Sequence, residues 1–399
     1  MEGYRLPKDW EWKRLGDRDY FDLIMGQSPP SDTYNLNGEG LPFFQGKAEF
    51  GALHPVAKKY CTSPTRIAHK DDVLISVRAP VGPTNIADQE CCVGRGLAAI
   101  RCTQDVLPRY LLYALRNIEN EIATMVRDQG AGFTAIKKHQ LAAIEIPLPP
   151  LAEQRRIVSR IEEIASRVSE VSHLQEEASH VSSAIFPAAL SLAVDGIARE
   201  RKPLAEVLSL RPRNGWSPRC DDRPEGTPVL ALSAVTGFQY DGSKFKRTSA
   251  KTNPQAHYWL DPSDLLITRS NTLDLVGHAA IYDGTPYPCI YSDLMMKTRV
   301  DVNRADVRFV HLWLMGNEAR EHIKARAQGT SASMKKISQG DILELPFPDI
   351  HVWEQRRVVD YLDSIHTSAE ELKRQQQATH LELDKVIPSL LSKAFRGEL

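Results

Sequence analysis

No run of apolar residues in this chain of 399 approaches the length of a membrane span. The start, Met1-Glu2-Gly3-Tyr4-Arg5, lacks the basic and apolar regions of a signal peptide. The six cysteines (Cys61, Cys91, Cys92, Cys102, Cys220, Cys289) contain no Cys-x-x-Cys pair, so neither a zinc site nor a disulfide framework is expected. A cytoplasmic protein with reduced thiols and no membrane contact is the natural expectation. Catalytic signatures are missing as well. No G-x-x-x-x-G-K-[ST] phosphate loop occurs, which argues against ATP hydrolysis. Asn253-Pro254 is followed by Gln255-Ala256 and lacks the further proline and aromatic of an amino-methyltransferase motif. The 12 histidines show no metal-ligand spacing, and His139 and His278 read as surface or turn residues rather than general bases. Asp349 with Glu354 and Arg356 only distantly resembles a nuclease signature. The expectation is a chain that is not an enzyme and binds no metal or cofactor itself.

Net charge is nearly absent too: 50 basic against 51 acidic side chains. By segment, residues 1–150 carry 18 of each, 151–198 carry 4 basic and 7 acidic, 199–351 carry 21 and 18, and 352–399 carry 7 and 8. Base collects weakly in the second globular region, which permits a local nucleic-acid-binding face without demanding one.

What the sequence does have is an internal repeat. Ile144-Glu145-Ile146-Pro147-Leu148-Pro149 matches Leu343-Glu344-Leu345-Pro346-Phe347-Pro348 at an offset of 199. Upstream, Gly130 and Ile136-Lys137-Lys138 pair with Gly329 and Met334-Lys335-Lys336. Downstream, Glu153-Gln154-Arg155-Arg156-Ile157-Val158 pairs with Glu354-Gln355-Arg356-Arg357-Val358-Val359 at an offset of 201, which persists to Gly196 and Gly397. Earlier segments align loosely: Asp72–Arg78 with Asp264–Ser270, and Val81-Gly82 with Val276-Gly277. Four segments follow: globular 1–150, helical 151–198, globular 199–351 and helical 352–399.

Each Glu-Gln-Arg-Arg opens a helix after a proline-rich run. The apolar spacing Ile157, Ile161, Ile164, Val168, Val171 is an a/d heptad, repeated by Val358, Leu362, Ile365, Leu372 and Leu383, with Gln175 and Gln376 at one shared polar layer. Glu153 to Phe186 gives roughly 50 Å of helix at about 1.5 Å per residue, and Pro187 and Pro388 are expected to end or kink the helices. Chain continuity makes the two helices antiparallel if their seams pair, giving two domains held apart by a rod. The globular regions are mixed. Val73–Val77, Leu97–Ile100 and Leu265–Thr268 read as strands, and Pro108–Ile118 and Val307–Gly316 as short helices, so an α+β fold fits better than a doubly wound one.

The stretch Gly130…Ile136-Lys137-Lys138…Ile144-Glu145-Ile146-Pro147-Leu148-Pro149-Pro150-Leu151-Ala152-Glu153-Gln154-Arg155-Arg156-Ile157 resembles the conserved segment of Type I restriction–modification specificity subunits. The second copy resembles it with Asp349-Ile350-His351-Val352-Trp353 in place of the Pro-Leu link, an apparent addition of two residues. The ending, Ile387-Pro388 through Gly397-Glu398-Leu399, is similar to the family's. The resemblance implies two target recognition domains, each reading half of a bipartite double-stranded DNA site, with the coiled coil as ruler. It implies docking of two modification (methyltransferase) subunits, which would bring S-adenosylmethionine, and of the restriction (motor-nuclease) subunits. Expected DNA-binding residues are Lys137, Lys138, Lys47, Arg78 and Thr134 in the first domain. In the second they are Lys335, Lys336, Arg269, Ser270, Asn271 and Ser331, with Lys244, Lys246 and Arg247 as a further basic cluster. Ile197 and Phe395 are candidates for an outer apolar dock. A coiled-coil scaffold without any DNA role is the competing reading.

Overall fold

The computed structural model describes residues 6–127, 135–221, 223–331 and 334–399. It forms two compact units, residues 1–176 with 377–399 and residues 177–376. They cut across the four segments expected from the sequence, since each unit takes part of both long helices.

In the first unit a four-stranded antiparallel sheet runs in the order Phe21–Met25, Leu97–Cys102, Val73–Ser76, Thr84–Ile86. Val73, Leu74 and Ile75 have no solvent-accessible surface, as their apolar run predicts for a central strand. Helix α1 (Pro108–Asn117) starts with proline at its first turn, where the missing N–H costs nothing, and buries Tyr110 through Leu115. It is followed by α2 (Glu119–Arg127) and α3 (Lys138–Ala142). A smaller sheet orders Tyr34–Asn35, Tyr60–Cys61, Leu41–Phe44, Cys91–Val93 and Ile67–Ala68. The long helix α4 (Leu151–Val194) contributes Ile157 and Ile161 to the core, which they share with Leu390, Leu391, Ala394 and Phe395 of the last helix. Phe395 is 1% exposed and meets the Tyr110 ring edge-on at 5.3 Å, so it is a core residue and not an outer dock.

The second unit repeats the plan. Its antiparallel sheet runs Leu208–Asn214, Met295–Val300, Leu265–Thr268, Ala279–Ile281. Helix α5 (Val307–Met315) is capped by Asp306, whose carboxylate accepts from the N–H groups of Arg308 and Phe309; α6 (Asn317–Arg326) and α7 (Gln339–Leu343) follow. The other long helix, α8, spans Val352–Phe395. Within this unit Ser182 donates to Gln376 Oε1 (3.0 Å), Phe186 meets His366 (ring centroids 5.0 Å), and Leu190 and Val194 share a core with Val359 and Leu362. Numbers rise along α4 as they fall along α8, so the helices run antiparallel. Ile197 is half-buried against the same core.

Three expectations need correction. Both long helices run through their prolines, Pro187 and Pro388, for another turn and more. One lost N–H donor costs less than the burial of Leu190 and Val194, or of Leu390, Leu391 and Phe395, on the turns beyond. The seam closes best near the domains: Ile157, Ile161 and Leu362 are buried, Ile164, Val168, Val358, Ile365 and Leu383 are half-buried, and Val171 and Leu372 stay 41% and 38% exposed.

The third correction concerns register. Leu15 N–H donates to the Ile144 carbonyl (2.9 Å) and Leu204 N–H to that of Leu345 (2.9 Å). The long helices open at Leu151 and Val352. One offset of 201 therefore holds from the strand through the helix, and His351-Val352 occupies the place of Pro150-Leu151 with nothing added. The match at 199 slips by two residues. A strand repeats its facing every second residue, so a slip of two preserves the apolar pattern and looks like homology.

Candidate nucleic-acid interface

The first unit gathers cations at one end of its sheets. Strand Val73–Ser76 runs into Val77-Arg78, and Arg78 bridges to Ala135 while Ile136 N–H donates to the Val77 carbonyl (2.9 Å). That bridge brings the exposed Lys137 and Lys138 beside Arg78. Lys137 is the N-cap of α3, with its N–H on Gln140 Oε1 (2.8 Å). Lys47 opens a short 3-10 turn, Lys47–Glu49, immediately after strand Leu41–Phe44. The turn joining Cys91–Val93 to Leu97–Cys102 is Gly94-Arg95-Gly96, and Arg95 is its exposed tip within an otherwise buried stretch. Lys47, Arg78 and Arg95 line one shallow pocket of about 240 Å³ together with Gln45, Gly46 and Ser76. Among the described residues no carboxylate lies within ion-pair distance of these three cations, the arrangement expected where a phosphate or base edge is to be met.

Arg95 and Gln45 were missed by the sequence reading. The available signal was Gly-Arg-Gly between two buried strands, where an arginine has no structural reason to be. Thr134 lies outside the described residues.

In the second unit, Ser270–Asn271 pairs antiparallel with Lys335–Lys336, joining Asn271 to Lys335 and Ser270 to Lys336. Ile337 N–H donates to the Arg269 carbonyl (3.1 Å), the counterpart of the Ile136–Val77 bond. Arg269, Asn271, Lys335 and Lys336 thus come together, with Lys336 exposed and Lys335 Nζ donating to the Gly329 carbonyl (2.6 Å). Ser331 is exposed in the preceding turn. Ser270 is 3% exposed and its hydroxyl is buried, which removes it as a base reader. Lys244, Lys246 and Arg247 lie at a separate sheet, on or beside strand Phe245–Thr248. There Lys244 faces Asp241 (3.8 Å), while Arg247 donates to the Gly226 carbonyl (2.8 Å) and lies over the Phe245 ring.

The lysine pairs are not equivalent. Ile136 matches Ile337, and α3 and α7 start at Lys138 and Gln339, so Lys137 and Lys138 correspond to Ser338 and Gln339. Their recurrence in sequence has an offset of 198, three residues short of the structural 201, so it is a separate slip from the one that displaced the strand match.

The residues that distantly resembled a nuclease site are structural. Asp349 pairs with Lys202 (2.7 Å), Glu354 accepts from His351 N–H (3.2 Å), and Arg356 faces Asp306 (3.6 Å). Among the described residues no cluster of three His, Cys, Asp or Glu is placed to hold a metal, and no helix is long and apolar enough to cross a membrane.

Residues 7–178 match the family model for the Type I restriction modification DNA specificity domain. Over that stretch, less than half of its length, the chain is similar to Type I specificity subunits. Its relatives include the MjaX specificity subunit of a Type I restriction enzyme from Methanocaldococcus jannaschii, 48% identical over 160 residues, which are 40% of this chain and 37% of that protein. The EcoKI specificity subunit of Escherichia coli K12 is 24% identical across 78% of this chain and 69% of its own length. The chain thus aligns with little more than a third of the first relative. The solved HsdS subunit from Thermoanaerobacter tengcongensis shares the fold over 100% of this chain and 99% of its own, with a TM-score of 0.66 at 22% identity.

Proposed function

We propose that this chain is the non-catalytic DNA-specificity subunit of a Type I restriction–modification complex. Each globular domain reads half of a bipartite duplex site, and the long helices set the spacing and dock two modification subunits. S-adenosylmethionine belongs to those partners, and restriction subunits complete the assembly. The reading rests on the similarity of residues 7–178 to the specificity domain together with one observation: Lys47, Arg78 and Arg95 converge beside the segment that follows Val73–Ser76, with no carboxylate in ion-pair distance among the described residues, and Lys336 stands exposed beside the segment that follows Leu265–Thr268.

The test is equilibrium binding of the full chain to duplex DNA across a salt series. Replacing both Lys335 and Lys336 by alanine should weaken binding and flatten the log–log salt slope by about 2, close to one per lost phosphate contact. An unchanged slope would show that these lysines do not face DNA.

A further inference from the structure

The two domains place different charges on the same hairpin tip. In the first, Gln27 N–H donates to the Val93 carbonyl (3.0 Å), Val77 N–H to that of Gly96 (2.9 Å), and Leu97 pairs with Ser76. In the second, Trp216 N–H donates to the Tyr291 carbonyl (2.9 Å), Arg269 N–H to that of Leu294 (2.7 Å), and Met295 pairs with Thr268. Gly94-Arg95-Gly96 is therefore the counterpart of Ser292-Asp293-Leu294, and Arg95 of Asp293. Both tip residues are exposed. The neighbours change with them. Arg78 is matched by Ser270, and the turn bearing Lys47 by Leu232–Ala234, which has no basic residue.

Phosphates look alike in every DNA sequence, whereas base edges differ. Two duplicated domains that used this tip to grip the backbone would both keep a cation there, since an aspartate repels phosphate. A reversal of charge on a retained scaffold is what a base-reading position shows when the two half-sites differ. The tip is also built for a fixed aim. Arg95 N–H donates to Ser28 Oγ (3.2 Å), and a Cβ at Gly96 would lie 2.0 Å from the Gln45 carbonyl, so only glycine lets the hairpin close on the neighbouring strand.

We infer that Arg95 is a specificity-determining residue that reads a guanine in the half-site of the first domain, its guanidinium donating to O6 and N7 in the major groove. Asp293 is its counterpart in the second domain. It accepts from the Ser217 hydroxyl and offers an acceptor in place of donors, which suits an exocyclic amino group such as cytosine N4 and rejects guanine O6. This inference rests on the DNA-reading proposal above.

The experiment is selection of bound duplexes from a random library by the full-length wild-type chain, Arg95→Gln and Arg95→Lys. A motif with a guanine in one half-site is expected from the wild type. Arg95→Gln should lower discrimination at that one position on the order of ten- to a hundredfold, leaving the other half-site and the spacer unchanged. Arg95→Lys should retain part of the preference. A motif unaltered by Arg95→Gln overturns this inference alone. So does a uniform loss of affinity across all sequences with a flatter salt slope, the signature of a phosphate contact. A wild-type chain that enriches no duplex overturns the DNA reading itself. Because Arg95 is exposed, circular dichroism of both variants should match the wild type, and loss of fold would show a structural role instead.

Discussion

Gln154 sits wholly buried at the first turn of α4 and spends its amide on three backbone groups. Its Oε1 accepts from Leu107 N–H (2.9 Å), and its Nε2 donates to the carbonyls of Asp105 (2.9 Å) and Pro149 (2.9 Å). Leu107 is the N-cap of α1, so one side chain ties the start of the domain helix to the start of the long helix. Replacing it with methionine keeps the length and fills the space, but leaves one donor and two acceptors without partners. At about 1 kcal/mol per hydrogen bond lost, the change should cost about 3 kcal/mol, and more if the groups stay dry. For a unit of this size that is roughly a 6–12 °C fall in melting temperature. Gln355 supplies the internal control. It is equally buried but makes two bonds, accepting from Asp306 N–H (2.9 Å) and donating to the Ile350 carbonyl (3.1 Å). Gln355→Met should therefore cost about 2 kcal/mol. Scanning calorimetry of the full chain, backed by guanidinium titration, reads both. A cost below about 1 kcal/mol for Gln154→Met, or a larger one for Gln355→Met, would refute the assignment of these glutamines as buried fasteners.

Stability of the second unit should fall as pH drops from about 6.5 towards about 4. Burial, followed by the nearby Arg320 charge, pushes His278 down to about 4. Its Nδ1 accepts from Gly237 N–H (2.9 Å), which requires the neutral ring. The unfolded chain takes up the proton first, so stability is intact above 6.5 and is lost on the way down. His311 is shifted in the same direction by burial and adds to the slope. Denaturant midpoints at stepped pH should flatten in His278→Gln, and an unaltered slope there would place the titration elsewhere. In the second domain's sheet, Asp264 has no exposed surface, takes Arg299 at 2.7 Å and faces the nearly buried Lys297 at 3.5 Å. Asp264→Asn strands that lysine and should cost about 3–5 kcal/mol by calorimetry. Asp72→Asn, where a single half-exposed cation, Arg101, pairs with the carboxylate and no lysine is buried beside it, should cost less.

The long helices, the short domain helices and the central strands were legible because each follows a periodicity that burial enforces. Val73–Ser76, Leu265–Thr268, α1 and α5 fall where their apolar spacing puts them. Proline misled because local propensity was weighed without the packing beyond it. The role of Glu-Gln-Arg-Arg was half visible: its recurrence marked a helix start, but only tertiary structure shows that the glutamine is the buried member. The interface was the least legible part. Lys47 and Arg78 are brought together by pairings across the sheet that no local pattern encodes, and Ser270 was lost to burial.

The offset between the two copies carries information of its own. It stays at 201 from Ile136 and Ile337 through α4 and α8, whose buried residues near the domains pack into their own unit's core. Upstream it changes from strand to strand, so insertions and deletions fell in the loops between them. Core strands keep their register because a slip of one residue would turn their apolar faces to water. Loops at strand ends carry no such penalty, and their side chains are free to diverge once the hairpin geometry is held. In the duplicated reader proposed above that freedom matters, because two half-sites of different sequence demand different tips on one frame. Arg95 with Arg78 in one domain, and Asp293 with Ser270 in the other, are that divergence in its sharpest form: the frame is retained to the hydrogen bond while the charge is reversed.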